Sequence, residues 1–154
     1  MREILFRGKR IDNGEWVEGN CINDGVTGQV FIHASGNSVN ESDKVGEDGC
    51  LRFVAFEVDP STICQCTGLK DKRGKLIWEN DVVKEFNSSR DEWNLSQIVF
   101  GEYSLNLGWC AKGIKTLHEY NRRLFNVGFG TSEAGECEVI GSAIDNPELL
   151  GVGL

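Results

Sequence analysis

A chain of 154 residues with 40% hydrophobic and 26% charged residues carries enough apolar material for one soluble domain, or one domain with a sizeable elaboration. It holds no apolar run of about eighteen residues, so no membrane-spanning helix is expected. Its formal charge of −8 argues against a domain that tracks phosphates along a whole face. Glycine is frequent, at 19 residues, and proline rare, at 2, a balance that favours short strands separated by many turns.

In chain order, Met1 to Arg10 lacks the apolar stretch of a signal peptide, which leads to the expectation of a cytoplasmic protein. Ile4-Leu5-Phe6 reads as a first strand. Asp12-Asn13-Gly14 is a turn, because Asn-Gly tolerates the left-handed conformation, and Glu15 to Ile22 is the return strand. Residues 3–22 therefore form an N-terminal hairpin. A second turn at Asn23-Asp24-Gly25 leads into a strand at residues 28–33. Residues 34–49 are polar and poor in large apolar groups, the composition of a long surface loop. Residues 51–58 suit a strand buried on both faces, punctuated by Asp59-Pro60-Ser61 before another strand at 62–66.

The stretch Thr67 to Phe86 contains two corners. In Lys70-Asp71-Lys72-Arg73-Gly74, Asp71 can accept from its own backbone two residues on, and Gly74 can take the positive φ that closes a short hairpin loop. Leu76-Ile77-Trp78 then suits a buried strand, Glu79-Asn80-Asp81 a tight turn, and Val82 to Phe86 the next strand. Two corners so close together suit a small, strongly bent barrel better than a flat sheet. Further strands follow at 98–100 and 105–110, joined around Gly101-Glu102. In residues 114–125, Ile114, Leu117, Asn121 and Leu124 fall near helical spacing, so a short helix or a strand both fit. Cys137 to Ile140 reads as the last strand. Asn146-Pro147-Glu148 then announces a short helix: Asn146 as cap, proline at the first position, and Glu148 at the positive end of the dipole.

The six cysteines (Cys21, Cys50, Cys64, Cys66, Cys110 and Cys137) contain no Cys-x-x-Cys. Disulfides would need an oxidising compartment, and a zinc site would need four ligands at other spacings. Buried, reduced thiols are the expected state, although Cys64 and Cys66 share a strand face and could join a soft-metal site.

Charge is unevenly spread. Arg2, Arg7, Lys9 and Arg10 against Glu3 give the first ten residues +3. Lys70, Lys72, Arg73 and Lys75 against Asp71 give residues 70–75 another +3, which leaves −14 on the remainder. Folded onto one side, Arg7, Lys9 and Arg10 would join the second group as one interaction patch able to meet an acidic surface; otherwise the second group is a solvated loop.

His33 and His118 lie in unlike surroundings, with no nucleophile placed by a local signature. Glu79 and Asp81 could serve as acid and base only in a pocket that raises a pKa, and carboxylates so placed more often accept backbone N–H groups and hold the turn. The sequence has no phosphate-cradling glycine loop, dinucleotide fingerprint or His-Glu-x-x-His. No catalytic, cofactor-binding or metal-binding residues are therefore expected. Trp16, Trp78, Trp93 and Trp109 each fall near an expected strand, where they fit a core or a stacking face.

Ile4-Leu5-Phe6-Arg7-Gly8-Lys9, with Asn13 to Gly19 behind it, resembles the N-terminus of YopX-like proteins of bacteriophages and prophages. The likeness continues through Gln65 to Lys75, Ile77 to Val83, Glu138 to Ser142 and Asp145 to Leu150, and leaves 24–60 and 87–135 weakly covered. Cys66 stands where the family usually has an aromatic residue, and Ser142 where it often has asparagine. The resemblance implies a mainly β fold with an SH3-type barrel, homo-oligomerisation and no established activity. The combined expectation is a single domain over 1–154, with its barrel core around 60–86 and 96–144, extra strands and hairpins, and a short C-terminal helix. Its function would be that of a non-enzymatic, self-associating module binding a host or phage protein. The alternative is a nucleic-acid-binding small barrel, which the net charge disfavours.

Overall fold

The structure, a computed structural model, describes residues 4–34, 54–87, 92–103, 106–115, 121–123 and 137–151. The chain divides into two compact units, residues 1–66 and 67–154. All the described strand pairs are antiparallel.

In the first unit, β1 (Phe6–Lys9) pairs with β2 (Trp16–Asn23) in a register running from Phe6 opposite Gly19 to Lys9 opposite Trp16. The connecting turn is the Asn-Gly turn. Gly14 has φ +73°, Gly14 N–H donates to Arg10 O at 2.9 Å, and Arg10 N–H to Glu15 O at 2.9 Å. β3 (Val30–Ala34) and β4 (Ala55–Val58) extend the sheet in the order β4-β3-β2-β1, followed by the start of β5 (Cys64–Lys70).

The sheet curls. Asp59 N–H donates to Lys9 O at 2.8 Å, Ile11 N–H to Glu57 O at 3.1 Å, and Arg10 bridges Val58, so the end of β4 meets the end of β1. Thr62, in the 3₁₀ turn Pro60–Thr62, fixes the junction: its hydroxyl oxygen accepts from Lys9 N–H at 2.8 Å and donates to Asp59 O at 2.7 Å. Asp59 caps that turn, accepting from Ser61 N–H at 2.9 Å. Strict alternation in β3 turns Val30, Ile32 and Ala34 inward, where they pack with Val17 and Val58. Each such side chain fully removed from water contributes about 1.5–3 kcal/mol.

The second unit holds the rest of β5, β6 (Leu76–Trp78), β7 (Asp81–Asn87), β8 (Glu92–Tyr103), β9 (Asn106–Lys115), β10 (Asn121–Arg123) and β11 (Glu138–Ser142). Five of these form a sheet in the order β10-β9-β8-β7-β11. Both corners lie where the turn chemistry puts them. Gly74 has φ +82° and donates its N–H to Asp71 O at 2.9 Å. At the second corner Asn80 takes φ +64°, a conformation asparagine tolerates better than most residues. It is pinned on three sides: its N–H donates to Ile98 O at 2.8 Å, its carbonyl accepts from Ala143 N–H at 2.8 Å, and its side-chain oxygen accepts from Gln97 Nε2 at 3.0 Å. The core gathers Ile77, Val83, Ile98, Trp109, Ala111 and Cys137.

Several expectations change. The described strands form curled and open sheets, and no closed barrel is found among the described residues. Gly101 and Glu102 are not a turn: they continue β8, paired with Gly108 and Leu107, because the ladder through Phe100 and Trp109 runs on past them. In 114–125, where a helix and a strand both fitted, the described residues are strand, at the end of β9 and in β10. The C-terminal feature is one 3₁₀ turn, Pro147–Leu150, and Asn146 makes no side-chain cap there. Its side-chain oxygen instead accepts from Ser142 N–H at 3.4 Å, reaching back towards β11. The polar stretch expected at 34–49 lies, beyond Ala34, outside the described residues, as do Cys50 and His118.

Glycine at position 19 is required by space and not by φ: a Cβ there would collide with the carbonyl oxygen of His33 on β3. Gly14 needs only its positive φ, with nothing within 4 Å of an added Cβ. Gly19→Ala should therefore lower unfolding free energy by about 2 kcal/mol or more, and Gly14→Ala by about 1 kcal/mol. Urea denaturation of the two variants beside the parent protein checks the order.

Candidate functional site

The hairpin turn between β5 and β6 is built on one carboxylate. Asp71 is 5% exposed, and its Oδ1 accepts from Arg73 N–H at 2.8 Å and Lys75 N–H at 2.9 Å. Its Oδ2 accepts from Val139 N–H on β11 at 3.1 Å. Lys72 N–H adds a bond to Cys137 O at 3.0 Å, so the loop is docked on the start of β11 by backbone as well as side chain. Burial alone would push the Asp71 carboxyl up. The amides of Val139, Lys75 and Arg73, with the Lys75 charge, overcome that and hold it below its ordinary value.

Docking places the loop's cations. Lys72 Nζ lies 2.7 Å from Glu138 Oε2 and Arg73 Nη2 lies 2.6 Å from Oε1. Lys84, which pairs with Glu138 across β7 and β11, brings its Nζ to 3.6 Å from Oε2. Three cations thus converge on one carboxylate. The hydrogen bond from Lys72 is the main reason the Glu138 carboxyl sits below its ordinary value, and the charges of Arg73, Lys72 and Lys84 add to it against the cost of desolvation. Beside them stands Trp93 on β8, 55% exposed, with Lys84 Nζ 5.3 Å and Lys72 Nζ 5.8 Å from its ring centroid. The cross-strand pairs Glu138–Lys84 and Lys84–Leu95 put these residues on one face of the sheet, and Trp93, two residues from Leu95, follows by alternation.

Of the sequence-expected cations in this unit, Lys72 and Arg73 enter the cluster, while Lys70 and Lys75 stand exposed at the ends of the loop. In the first unit the expected cations meet aromatic rings. The Arg7 guanidinium is buried 4.6 Å from the Trp16 centroid, and Lys9 Nζ lies 5.5 Å from the same ring. Arg10 lies 3.9 Å over Phe56 and pairs with Asp12, whose carboxyl is held low chiefly by that hydrogen bond. A shallow depression of about 300 Å³ beside it is lined by Ile11, Asp12, Ala55, Phe56 and Glu57.

The other candidates take structural places. Asp81 is 1% exposed and accepts from Trp78 N–H at 2.9 Å, holding the second corner. Glu79 is half-buried in the same turn. His33 is half-buried in β3 opposite Asn20 and Ala55. Cys64, Cys66, Cys110 and Cys137 are buried, and burial pushes the thiol of the half-buried Cys21 up. Among the described residues no three His, Cys, Asp or Glu side chains are grouped to hold a metal ion. Trp78 and Trp109 are core, Trp16 is half-buried, and Trp93 is open to solvent. Glu138 and Lys84 were not singled out by the sequence. The signal available for Lys84 was its place between the buried residues Val83 and Glu85, on the opposite face of β7.

A mainly β chain of two antiparallel sheets, its two corners anchored by Asp71 and Asn80, defines the class. The family model described as YopX protein matches residues 5–151, and the chain belongs to the YopX family. A search of the curated proteins finds no match. Among solved structures the chain is similar to protein EF1440 from Enterococcus faecalis, at 20% identity and a TM-score of 0.49, over 97% of this chain and 99% of that one.

The two low-lying carboxyls set the acid response. Their ordinary values are 3.8 for Asp71 and 4.5 for Glu138, and both are lower in the folded chain. Their contribution is therefore complete above those ordinary values and is lost as pH falls through the folded ones. Asp71→Ala, which leaves three amides without their acceptor, should cost about 2 kcal/mol or more near neutral pH. It should also flatten the fall in stability between about pH 5 and pH 2. Urea midpoints measured across that range for both proteins give the comparison, and parallel curves would contradict the assignment.

Proposed function

We propose that this YopX-family protein is a non-enzymatic, self-associating interaction module, encoded by a phage or prophage and acting in the host cytoplasm on a host or phage protein. The observation that carries the reading is Phe100. It is 52% exposed on β8, paired with Trp109 of β9, and is held edge-on against that ring with centroids 5.1 Å apart. A large aromatic side chain presented rigidly to solvent is the kind of anchor that interfaces bury. Backbone pairing at the β11 edge is a poor alternative. Asp71 occupies Val139 N–H there, and the register shift between Val139 and Gly141 breaks the ladder. Association then proceeds through side chains. The non-enzymatic reading is supported by Asp81, one of the two candidate acids, which accepts from Trp78 N–H and holds the turn. The two corners at Gly74 and Asn80 support an SH3-like small barrel around 60–86 and 96–144, and the family match over residues 5–151 supports reading the whole chain as one functional domain.

A second reading, nucleic-acid binding, is favoured by the exposed Trp93 and its cations, on the opposite face of β8 from Phe100. For the first reading, size-exclusion chromatography with light scattering should give a mass above 17.1 kDa for the parent chain and a shift towards the monomer for Phe100→Ser. A parent protein that stays monomeric at every concentration tested sinks it.

A further inference from the structure

We propose that the face formed by Trp93, Lys72, Arg73, Lys84 and Glu138 binds single-stranded nucleic acid, one base stacking on Trp93 and the adjoining phosphates meeting the cations that Glu138 holds in waiting. The proposal rests on the second reading above and names its ligand, its residues and an internal competitor.

The case begins with what is in excess. Three cations share one carboxylate, so their positive charge outweighs the charge that neutralises it. Yet the cluster is ordered: Lys72 and Arg73 sit on a loop fixed by the amides that the Asp71 carboxylate accepts from and by the bond to Cys137, and Lys84 sits on a strand paired on both sides. Cations fixed in place lose little freedom when an anion arrives. Glu138 is 7% exposed and aligns them as a phosphate would, with two oxygens shared among three donors. An incoming phosphate can draw Lys72, Lys84 or Arg73 away from it with little movement.

Trp93 separates the ligand classes. An acidic peptide would use the cations and leave an exposed indole idle. A duplex keeps its bases stacked inside and offers only phosphates. A single strand offers both a free base face and a phosphate a few ångströms away, and every base has a face to stack. The indole already has two ammonium groups near its ring, at 5.3 and 5.8 Å, so base and phosphate fall within reach of adjacent groups.

The internal competitor has a consequence. Removing the Glu138 charge should strengthen binding, the reverse of what a binding carboxylate would do.

The experiment titrates the full chain into fluorescently labelled oligothymidylate and oligouridylate at low salt (about 50 mM), with a duplex of mixed sequence and unlabelled polyglutamate as controls. Anisotropy should rise with either single strand, and tryptophan emission should quench in the parent chain but not in Trp93→Ala. Trp93→Ala should weaken binding about ten-fold or more, and Trp93→Phe should restore part of it. Contacts from three cations predict a slope near −2 in log affinity against log salt, and Lys84→Ala should reduce it by about 0.7. Glu138→Gln should tighten binding several-fold, with urea unfolding confirming that each variant is folded. Binding of duplex as well as single strand, with Trp93→Ala unchanged, would overturn this proposal while leaving nucleic-acid binding standing. Displacement by polyglutamate at equal charge would assign the face to an acidic protein surface. No anisotropy change with any nucleic acid would remove both the proposal and the second reading, without touching self-association, which Phe100→Ser reports separately.

Discussion

The second unit depends on a buried carboxylate that is held by backbone amides. Taking a carboxylate out of water is costly, and Asp71 is offset by three amide dipoles aimed at it, two from its own loop and one from β11. The two local bonds make the hairpin turn; the third makes the turn a structural joint. Asp71 and Val139 are 68 residues apart in sequence, so this bond closes a long stretch of chain and fixes where β11 can lie. The same bond covers the amide that an incoming strand would seek. One side chain therefore serves as turn former, tether and edge protection.

The local half of that arrangement was legible in the sequence and the distant half was not. Asp71 and Gly74 are turn residues for reasons that reach two or three positions along the chain, and both behave accordingly. The bond to Val139 depends on where β11 arrives, which no local pattern encodes. The failed expectations have the same origin. Gly101-Glu102 has the residue types of a turn, but glycine also sits in a strand when the flanking pairs are strong, as Val99–Cys110 and Phe100–Trp109 are here. In 114–125, where helix and strand were both open, the choice also falls to a neighbour: Asn121–Arg123 forms β10 by pairing with β9, which local spacing does not encode. Asn146 has the right type for a cap but a better-placed donor in Ser142 N–H, at a point where Gly141 leaves room for its side chain.

The candidate site was legible as charge and not as geometry. The run 70–75 announced a basic loop, and the structure divides it: two cations are gathered at Glu138 and two stand at the ends. The N-terminal cations meet tryptophan and phenylalanine rings, with Arg7 buried, so a count of charges overstated what that segment offers to an anion. Trp93 could be placed only near a strand from sequence, and its place within β8, on the face turned away from Ser96 and Ile98, follows from the register of β7 against β8. The four tryptophans end in three environments, Trp78 and Trp109 buried, Trp16 half-buried and Trp93 exposed.

Neutralisation of a basic cluster by its own carboxylate has a physical use in an acidic chain. With a net charge of −8, the long-range field of the protein repels polyanions, and salt shortens that field to within about 10 Å. A bare cluster of three cations would still attract any acidic surface at short range. With Glu138 among them, an incoming anion must displace an interaction already made, so charge alone gains little. A ligand that also stacks on Trp93 brings a second, uncharged contribution that Glu138 does not oppose. Selectivity then arises from requiring both contacts, with the carboxylate raising the threshold against partners that bring only one.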